Sequence, residues 1–157
     1  LGVYKTPALY GAFPVDPYSH TTGFSGVQQP GMTGQVKEDI ITRFIELGVR
    51  VRHGKISFVP FLLNGSEFIS GERSWHRVVG GTQHSEKLTG GSLAFSLCGV
   101  PVIYRLADSS SIRIETSSCE TLVIPGSELD NAWSQSLFRR EKRVRKIVVD
   151  LPATSLR

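Results

Sequence analysis

The clearest pattern of apolar and polar positions in the chain lies between residues 33 and 47 and has the period of an α-helix. Its apolar side chains form one stripe, which consists of Val36, Ile40, Ile41, Phe44, Ile45 and Leu47. Its charged side chains occupy the other side and are Lys37, Glu38, Asp39, Arg43 and Glu46. The pattern predicts an amphipathic helix over 33–47, with Thr33 as its N-cap and Gly48 as the residue that ends it.

Beyond Gly48 the apolar positions alternate with a period of two, which indicates β-strands. The stretch from Val49 to Phe58 predicts a hairpin with a tight turn at His53-Gly54. Further strands are predicted over 67–69, 75–79, 92–98, 101–106, 112–116, 122–124 and 144–151, with a bend or bulge at Gly99 and a short helical turn within 127–138. The predicted fold class is therefore mainly β (α+β), an antiparallel β-sandwich-like domain preceded by an irregular segment and one amphipathic helix.

The first 31 residues differ in composition from the rest, because they are rich in proline, glycine and aromatic side chains. The aromatic residues are Tyr4, Tyr10, Phe13, Tyr18 and Phe24. A run of this length without regular structure is uncommon in a compact domain unless it is functional or packs on something else. We therefore expect an irregular loop that lies against a neighbouring domain.

The net charge of +4 arises largely from one basic stretch over residues 139–146. Basic clusters can bind nucleic acid, but this one is interrupted by Glu141 and has no interleaved aromatic residues. It leads directly into an apolar run, so a solvated hairpin turn is the better interpretation. No apolar run approaches the roughly 20 residues that span a bilayer. The sequence therefore predicts neither a nucleic-acid partner nor a membrane partner.

The two cysteines, Cys98 and Cys119, are too few for a disulfide framework or for a zinc site made of cysteines. Cys98 lies in an apolar, strand-like run and Cys119 in a polar turn. Two free thiols are expected, which suits a cytoplasmic protein. The histidines, His20, His53, His76 and His84, lack the spacing of metal ligands. We therefore expect neither a metal ion nor a cofactor.

A candidate binding loop precedes the predicted helix. The beginning of a helix offers unpaired N–H groups and a partial positive charge, which favour an anion such as phosphate. The candidate ligand-binding residues at this point are Thr33, Gly34 and Gln35. Further upstream, the polar groups that sugar sites use are supplied by Asp16, Tyr18, His20, Gln28 and Gln29. A plain helix cap with turn glycines, preceded by an ordinary polar loop, is the simpler alternative.

Several short motifs, taken in their order along the chain, resemble a known family. They are Thr33-Gly34, Leu47-Gly48-Val49, the run from His53 to Pro60 and the run from Phe95 to Tyr104. Over residues 33–60 and 92–116 the chain resembles the close of the catalytic barrel, and the β domain that follows it, in inverting disaccharide phosphorylases of the cellobiose and chitobiose type. These enzymes belong to the (α/α)6 six-hairpin glycosidases.

The resemblance implies that residues 1–48 are the tail of an upstream helical (α/α)6 domain and that residues 49–157 form a C-terminal antiparallel β domain. The chain would then be a non-catalytic C-terminal portion of a larger carbohydrate-active enzyme. Its partners would be the upstream catalytic domain of the same chain, a carbohydrate and, in a phosphorylase, phosphate at Thr33 and Gly34. The general acid would lie in the barrel, so no catalytic residue is expected in this chain.

One departure from the family affects the predicted reaction. Gln35-Val36-Lys37 stands where the family has a tryptophan shortly after its Thr-Gly pair. The resemblance is therefore as compatible with a glycoside hydrolase as with a glycoside phosphorylase.

Two other kinds of function fit the same residues. A stand-alone β-sandwich module could bind glycan or protein through Trp75, Trp133 or the N-terminal tyrosines. A purely structural domain could instead cap or dimerise a larger protein, which leaves a homo-oligomer open. The three hypotheses differ in whether the isolated chain binds a sugar, binds a second copy or does neither.

Overall fold

The computed structural model describes residues 32–157, with side chains from residue 38 onward. The chain divides into two compact units, Leu1–Arg43 and Phe44–Arg157. The described helices are α1 (Met32–Glu46) and α2 (Asn131–Phe138), and short 3-10 helices span Gly65–Glu67 and Ala153–Ser155. The described strands are β1 (Val49–Arg52), β2 (Lys55–Phe58), β3 (Arg73–Val79), β4 (Thr82–Leu88), β5 (Ser92–Leu97), β6 (Val100–Ala107), β7 (Ser111–Thr116), β8 (Thr121–Pro125) and β9 (Val144–Pro152). The predicted mainly β, α+β class is confirmed.

The predicted amphipathic helix is present as α1, which begins one residue earlier than expected. Thr33 is consequently the second residue of the helix rather than its N-cap. Gly48 ends the helix as predicted: its φ is +67°, and its N–H donates to the carbonyl oxygen of Ile45 over 3.0 Å. The middle of the apolar stripe is open to solvent, with exposed fractions of 52% at Ile40, 59% at Ile41 and 53% at Ile45, whereas Leu47 at its end is buried.

The main sheet of the second unit has five strands in the order β5-β6-β9-β7-β8. All its neighbouring strands are antiparallel except β6 and β9, which run parallel. The sequence predicts only antiparallel pairing, so this pair is a correction. A parallel pair needs a long connection, and residues 108–143 provide it because β7, β8 and α2 lie between the two strands.

One face of the main sheet carries the hydrophobic core, because apolar residues alternate along its central strands. The hairpin β1–β2 and the helix α2 pack against this face. The most deeply buried side chains there are Ile56, Phe58, Leu63, Val102, Tyr104, Ile112, Ile114, Leu129, Leu137, Ile147, Val149 and Leu151. The second unit therefore has a core of its own.

The opposite face of the main sheet carries the hairpin β3–β4. Leu88 of β4 packs on Ile103 of β6 and Val148 of β9, and Trp75 of β3 is partly buried against them. Because the hairpin packs on β6 and β9, it leaves the part of this face formed by β7 and β8 uncovered. A cavity lies between the edge of the hairpin and this part of the main sheet.

Two tight turns join neighbouring strands at positions where the sequence predicts a change of direction. His53 (φ +50°) and Gly54 (φ +77°) form the predicted tight turn of β1–β2. Cys98 (φ +53°) and Gly99 (φ +84°) form a second two-residue turn, so the two strands predicted on either side of Gly99 are present as the hairpin β5–β6. Cys98 therefore lies in a turn, and its thiol is free, as is that of Cys119.

The strand predicted at 67–69 is wrong: Glu67 ends a 3-10 helix that local side-chain hydrogen bonds stabilise, and Ile69 forms only an isolated antiparallel bridge with Ser92. Asn64 accepts from the Ser66 N–H over 2.9 Å, and Glu67 accepts from the Asn64 N–H over 3.3 Å, which completes a capping box. Conversely, the sequence does not predict β4, since residues 82–87 are polar on both faces and show no apolar alternation. This strand forms because it pairs with β3 across the turn at Gly80-Gly81.

Tyr104 joins the end of α1 to the main sheet. Its hydroxyl donates to the carbonyl oxygen of Leu47 over 2.6 Å, its ring is fully buried, and burial raises the pKa of the hydroxyl so that it stays a donor. We predict that Tyr104→Phe lowers the free energy of unfolding by about 1–3 kcal/mol, because the buried carbonyl would lose its donor. Urea denaturation should show a lower midpoint at an unchanged m value. An unchanged midpoint would contradict this role of the hydroxyl.

Candidate functional site

The binding loop predicted from the sequence falls where side chains are not described. Asp16, Tyr18, His20, Gln28 and Gln29 lie outside the described residues. Thr33, Gly34 and Gln35 lie in the first turns of α1, where the backbone alone is described. Contact of these residues with sugar or phosphate therefore stays a prediction.

Charged side chains collect on the sheet face opposite the core, because they alternate with core residues along the strands. In β9, Lys146, Val148 and Asp150 occupy this face. The register places Asp150 opposite Arg105 of β6 on one side and Ser111 of β7 on the other. Three adjacent strands thus bring one carboxylate into reach of several donors.

Asp150 is the buried centre of an ionic cluster whose arginines are partly exposed. Arg105 donates to its Oδ1 from Nε and from one terminal nitrogen, over 3.1 and 3.0 Å. Arg113 donates to both carboxylate oxygens, each over 2.9 Å, and the Ser111 hydroxyl donates to Oδ2 over 2.9 Å. The cluster ties β6, β7 and β9 together on the face that the core does not use.

Glu115 of β7 lies among cations from neighbouring strands. Lys146 Nζ is 2.9 Å from Glu115 Oε1, and Arg145 contacts the other carboxylate oxygen. Lys146 also lies 3.5 Å from Glu86 in β4, so it links the hairpin to the sheet. Burial acts to raise the pKa of Glu115, but the hydrogen bonds and charges of Lys146 and Arg145 outweigh it, and the pKa is lowered.

The cavity between β4 and the main sheet has a volume of about 370 Å³, and we call it the sheet cavity. Its lining residues are Lys87, Leu88, Thr89, Ile103, Arg105, Arg113, Glu115, Thr121, Lys146 and Val148. Cations thus outnumber carboxylates in the lining by four to one. Such a surface can attract and hold an anion, provided that its donors are not all used by the protein itself.

A second, smaller groove lies on the side of the sheet that carries α2. Its volume is about 250 Å³, and it is lined by Thr116, Ser117, Ser118, Glu120, Leu122, Trp133 and Arg143. The guanidinium of Arg143 lies over the Trp133 ring, 5.3 Å from its centroid. We call it the Trp133 groove; it combines one aromatic face with several hydroxyls.

The basic stretch at 139–146 does not form the hairpin turn that the sequence predicts. It connects the end of α2 to β9, because Phe138 ends the helix and Val144 begins the strand. Lys146 at its far end is largely buried in ion pairs. Lys146 therefore lines the sheet cavity and Arg143 lines the Trp133 groove, whereas other cations of the stretch lie in the exposed connection.

Within residues 38–157, no three metal-binding side chains lie close enough together to hold an ion. Among the described helices, none has the length and apolarity needed to cross a bilayer. Comparison of the sequence with protein-family models and with curated proteins gives no match. The function must therefore be argued from the geometry.

We predict that acid weakens the fold partly through Glu115. Its folded-state pKa lies below the ordinary value of 4.5, so its stabilising effect is present above that value and is lost as the pH falls through the folded-state pKa. Glu115→Gln should therefore flatten the loss of stability as the pH falls from neutral to below 4.5. Urea midpoints of both proteins across this range measure the effect, and parallel curves would contradict it.

Proposed function

We propose that the chain is the non-catalytic C-terminal portion of a larger carbohydrate-active enzyme, a glycoside hydrolase or a glycoside phosphorylase. The observation that supports this most is the exposed apolar stripe of α1. Ile40, Ile41 and Ile45 are each more than half exposed, although the pattern that places them together is that of a buried helix face. A stripe of this kind is expected to be covered by another element in the working protein.

The end of the helix is held by the β domain. Leu47 is 5% exposed, Gly48 is buried, and the Tyr104 hydroxyl fixes the carbonyl of Leu47. The last turn of α1 is thereby attached to a domain that has its own core. We propose that the stripe packs on helices of the catalytic domain, since an amphipathic helix buries its apolar face by packing on other helices or in an apolar groove.

The carbohydrate part of the proposal is supported by the order of the elements. A helix that ends at Gly48, a hairpin with a tight turn at His53-Gly54 and a later strand pair over 92–107 follow one another. The motifs that resemble the phosphorylase family fall on these same three elements. Substrate contact would come from the loop before α1, at Thr33 and Gly34 among others, together with the catalytic domain.

Three carboxylates of the β domain form hydrogen bonds or ion pairs that stabilise the fold. Asp150 binds two arginines, Glu115 binds Lys146 and Arg145, and the Asp130 carboxylate accepts from the Trp133 N–H over 2.9 Å as the N-cap of α2. A general acid needs a raised pKa, whereas the cations around Glu115 lower its pKa. The acid of the proposed enzyme is therefore expected in its catalytic domain.

The proposal is tested by assaying the purified chain with a panel of oligosaccharides and aryl glycosides, each with and without inorganic phosphate. We expect no turnover above the rate in buffer, because the acid is assigned to another domain. Glu115→Gln and Asp150→Asn serve as controls, since any trace activity that survives both comes from elsewhere. Turnover at a rate typical of enzymes would contradict the proposal.

A second candidate function, a glycan-binding module, is favoured by the Trp133 groove. The partly buried Trp133 ring, the Arg143 guanidinium beside it and the hydroxyls of Thr116, Ser117 and Ser118 are the kinds of group that sugar sites use. Tryptophan fluorescence titrated with neutral oligosaccharides should then show a saturable change that Trp133→Phe removes. Trp75→Phe is the matched control and should retain the change, and a flat titration of the unmodified chain would exclude this function.

A further inference from the structure

The sheet cavity has a surplus of positive charge that its own carboxylates do not balance. Glu115 is the carboxylate in its lining, and it is shared between Lys146 and Arg145. Asp150 neutralises one of the two arginines but contacts both. Lys87, on the hairpin side, is exposed and forms no ion pair within residues 38–157.

Arg113, one of the lining residues, has a buried donor that lacks an acceptor. Arg113 contacts Asp150 through a single terminal nitrogen, and its Nε is buried with no hydrogen-bond partner in the described part of the chain. A buried, charged N–H group without an acceptor is unfavourable, and native proteins satisfy such groups with protein, water or ligand. The Thr89 and Thr121 hydroxyls lie in the same lining.

The remaining surface of the cavity is apolar. Leu88, Ile103 and Val148 belong to it, and the same three residues form the cluster that holds the hairpin on the sheet. A volume of about 370 Å³ is within the range of small-molecule sites. Cations around an apolar surface suit a ligand that carries one anionic group on a compact body.

From these observations we propose that the sheet cavity binds a small ligand that carries one oxyanionic group, a phosphate or a carboxylate. Lys87, Arg113 and Lys146 supply the positive charge, and Thr89 and Thr121 supply hydroxyls. The site is independent of the function proposed above, since it lies wholly within the β domain and uses none of the residues of the loop before α1.

The test is a titration of the isotopically labelled chain with glucose 1-phosphate, glucuronate, inorganic phosphate and glucose, followed by amide NMR. We expect saturable shifts at β4 and β7 with the anionic probes and none with glucose. A response to glucuronate alone assigns a carboxylate ligand, a response to the two phosphates alone assigns a phosphate ligand, and either supports the proposal. Equal binding of glucose, or no saturable shift with any anion, would overturn it.

Three variants distinguish binding at the sheet cavity from the general attraction of anions to a basic protein. Lys87→Gln should weaken binding of the best anion about three- to tenfold, because one charged donor is lost. Glu115→Gln should tighten it about threefold, because the carboxylate in the lining loses its charge. Lys142→Gln makes the same charge change as Lys87→Gln at an exposed position outside the cavity and should leave the affinity unchanged. Equal weakening by the two lysine variants would overturn the proposal.

Discussion

Replacing Gly48 by alanine should lower the free energy of unfolding by about 3–5 kcal/mol. Gly48 has a φ of +67°, which disfavours any residue with a Cβ atom. A Cβ built there would lie 2.1 Å from the carbonyl carbon of Val59 and 2.3 Å from the nitrogen of Pro60. Both are backbone atoms, so the clash can be relieved only by moving the chain.

The matched control for this variant is Gly80→Ala. Gly80 also has a positive φ, of +58°, but nothing lies within 4 Å of the position that its Cβ would take. Its replacement by alanine should therefore lower the free energy of unfolding only by the cost of placing a Cβ residue at positive φ, about 1–2 kcal/mol. Urea denaturation of both variants measures the difference. Equal costs would show that the close approach between Gly48 and Val59 does not constrain the fold.

Replacing Asp150 by asparagine should lower the free energy of unfolding by about 2–3 kcal/mol. The substitution keeps the shape of the side chain but removes the charge that Arg105 and Arg113 share. The cost should be smaller than for a fully buried pair, because both arginines retain partial contact with solvent. The bonds across β6, β7 and β9 should weaken together.

Glu128→Gln is the control for Asp150→Asn. Glu128 also pairs with a cation, Lys55, at 2.9 Å, but both partners are exposed. Exposed pairs contribute little, so the urea midpoint should hardly change. If Asp150→Asn were equally mild, the ionic cluster would not be an important contact between the central strands.

The helix α1 and the hairpin β1–β2 could be predicted from the sequence, because their signals are local. The stripe from Ile40 to Ile45 has helical period, Gly48 is a typical helix end, and His53-Gly54 is a typical two-residue turn. Periodicity and turn chemistry depend on neighbours in the sequence. Elements specified in this way can be predicted without knowledge of the rest of the fold.

The parallel pairing of β6 with β9 and the strand β4 could not be predicted, because both depend on distant residues. The parallel pair is stabilised by contacts between segments about 45 residues apart in the sequence, such as the hydrogen bond between Arg105 and Asp150. β4 consists mostly of polar residues and is ordered by pairing with β3 and by Leu88 packing on the main sheet. Hydrophobic alternation alone carries no information on either contact.

The sheet cavity was missed for a related reason. In the sequence, Arg113 alternates with isoleucines, which is typical of a strand with one solvated face, whereas Arg105 and Lys146 each stand beside a run of apolar residues. Only the strand order brings the three side chains together, and only the hairpin β3–β4 gives the cavity its second wall. The three cations lie in separate segments of the sequence, so their adjacency could not be recognised without the strand order.

The central claim is that this β domain works as part of a longer polypeptide whose catalytic domain covers the stripe of α1. The most direct test is to purify the native protein from its source with an antibody raised against this chain, and to determine its length by mass spectrometry. The account predicts a polypeptide well beyond the 157 residues of this chain, with glycoside-cleaving activity in the same fraction. A native polypeptide of 157 residues, or a longer one without activity on any glycoside, would contradict it.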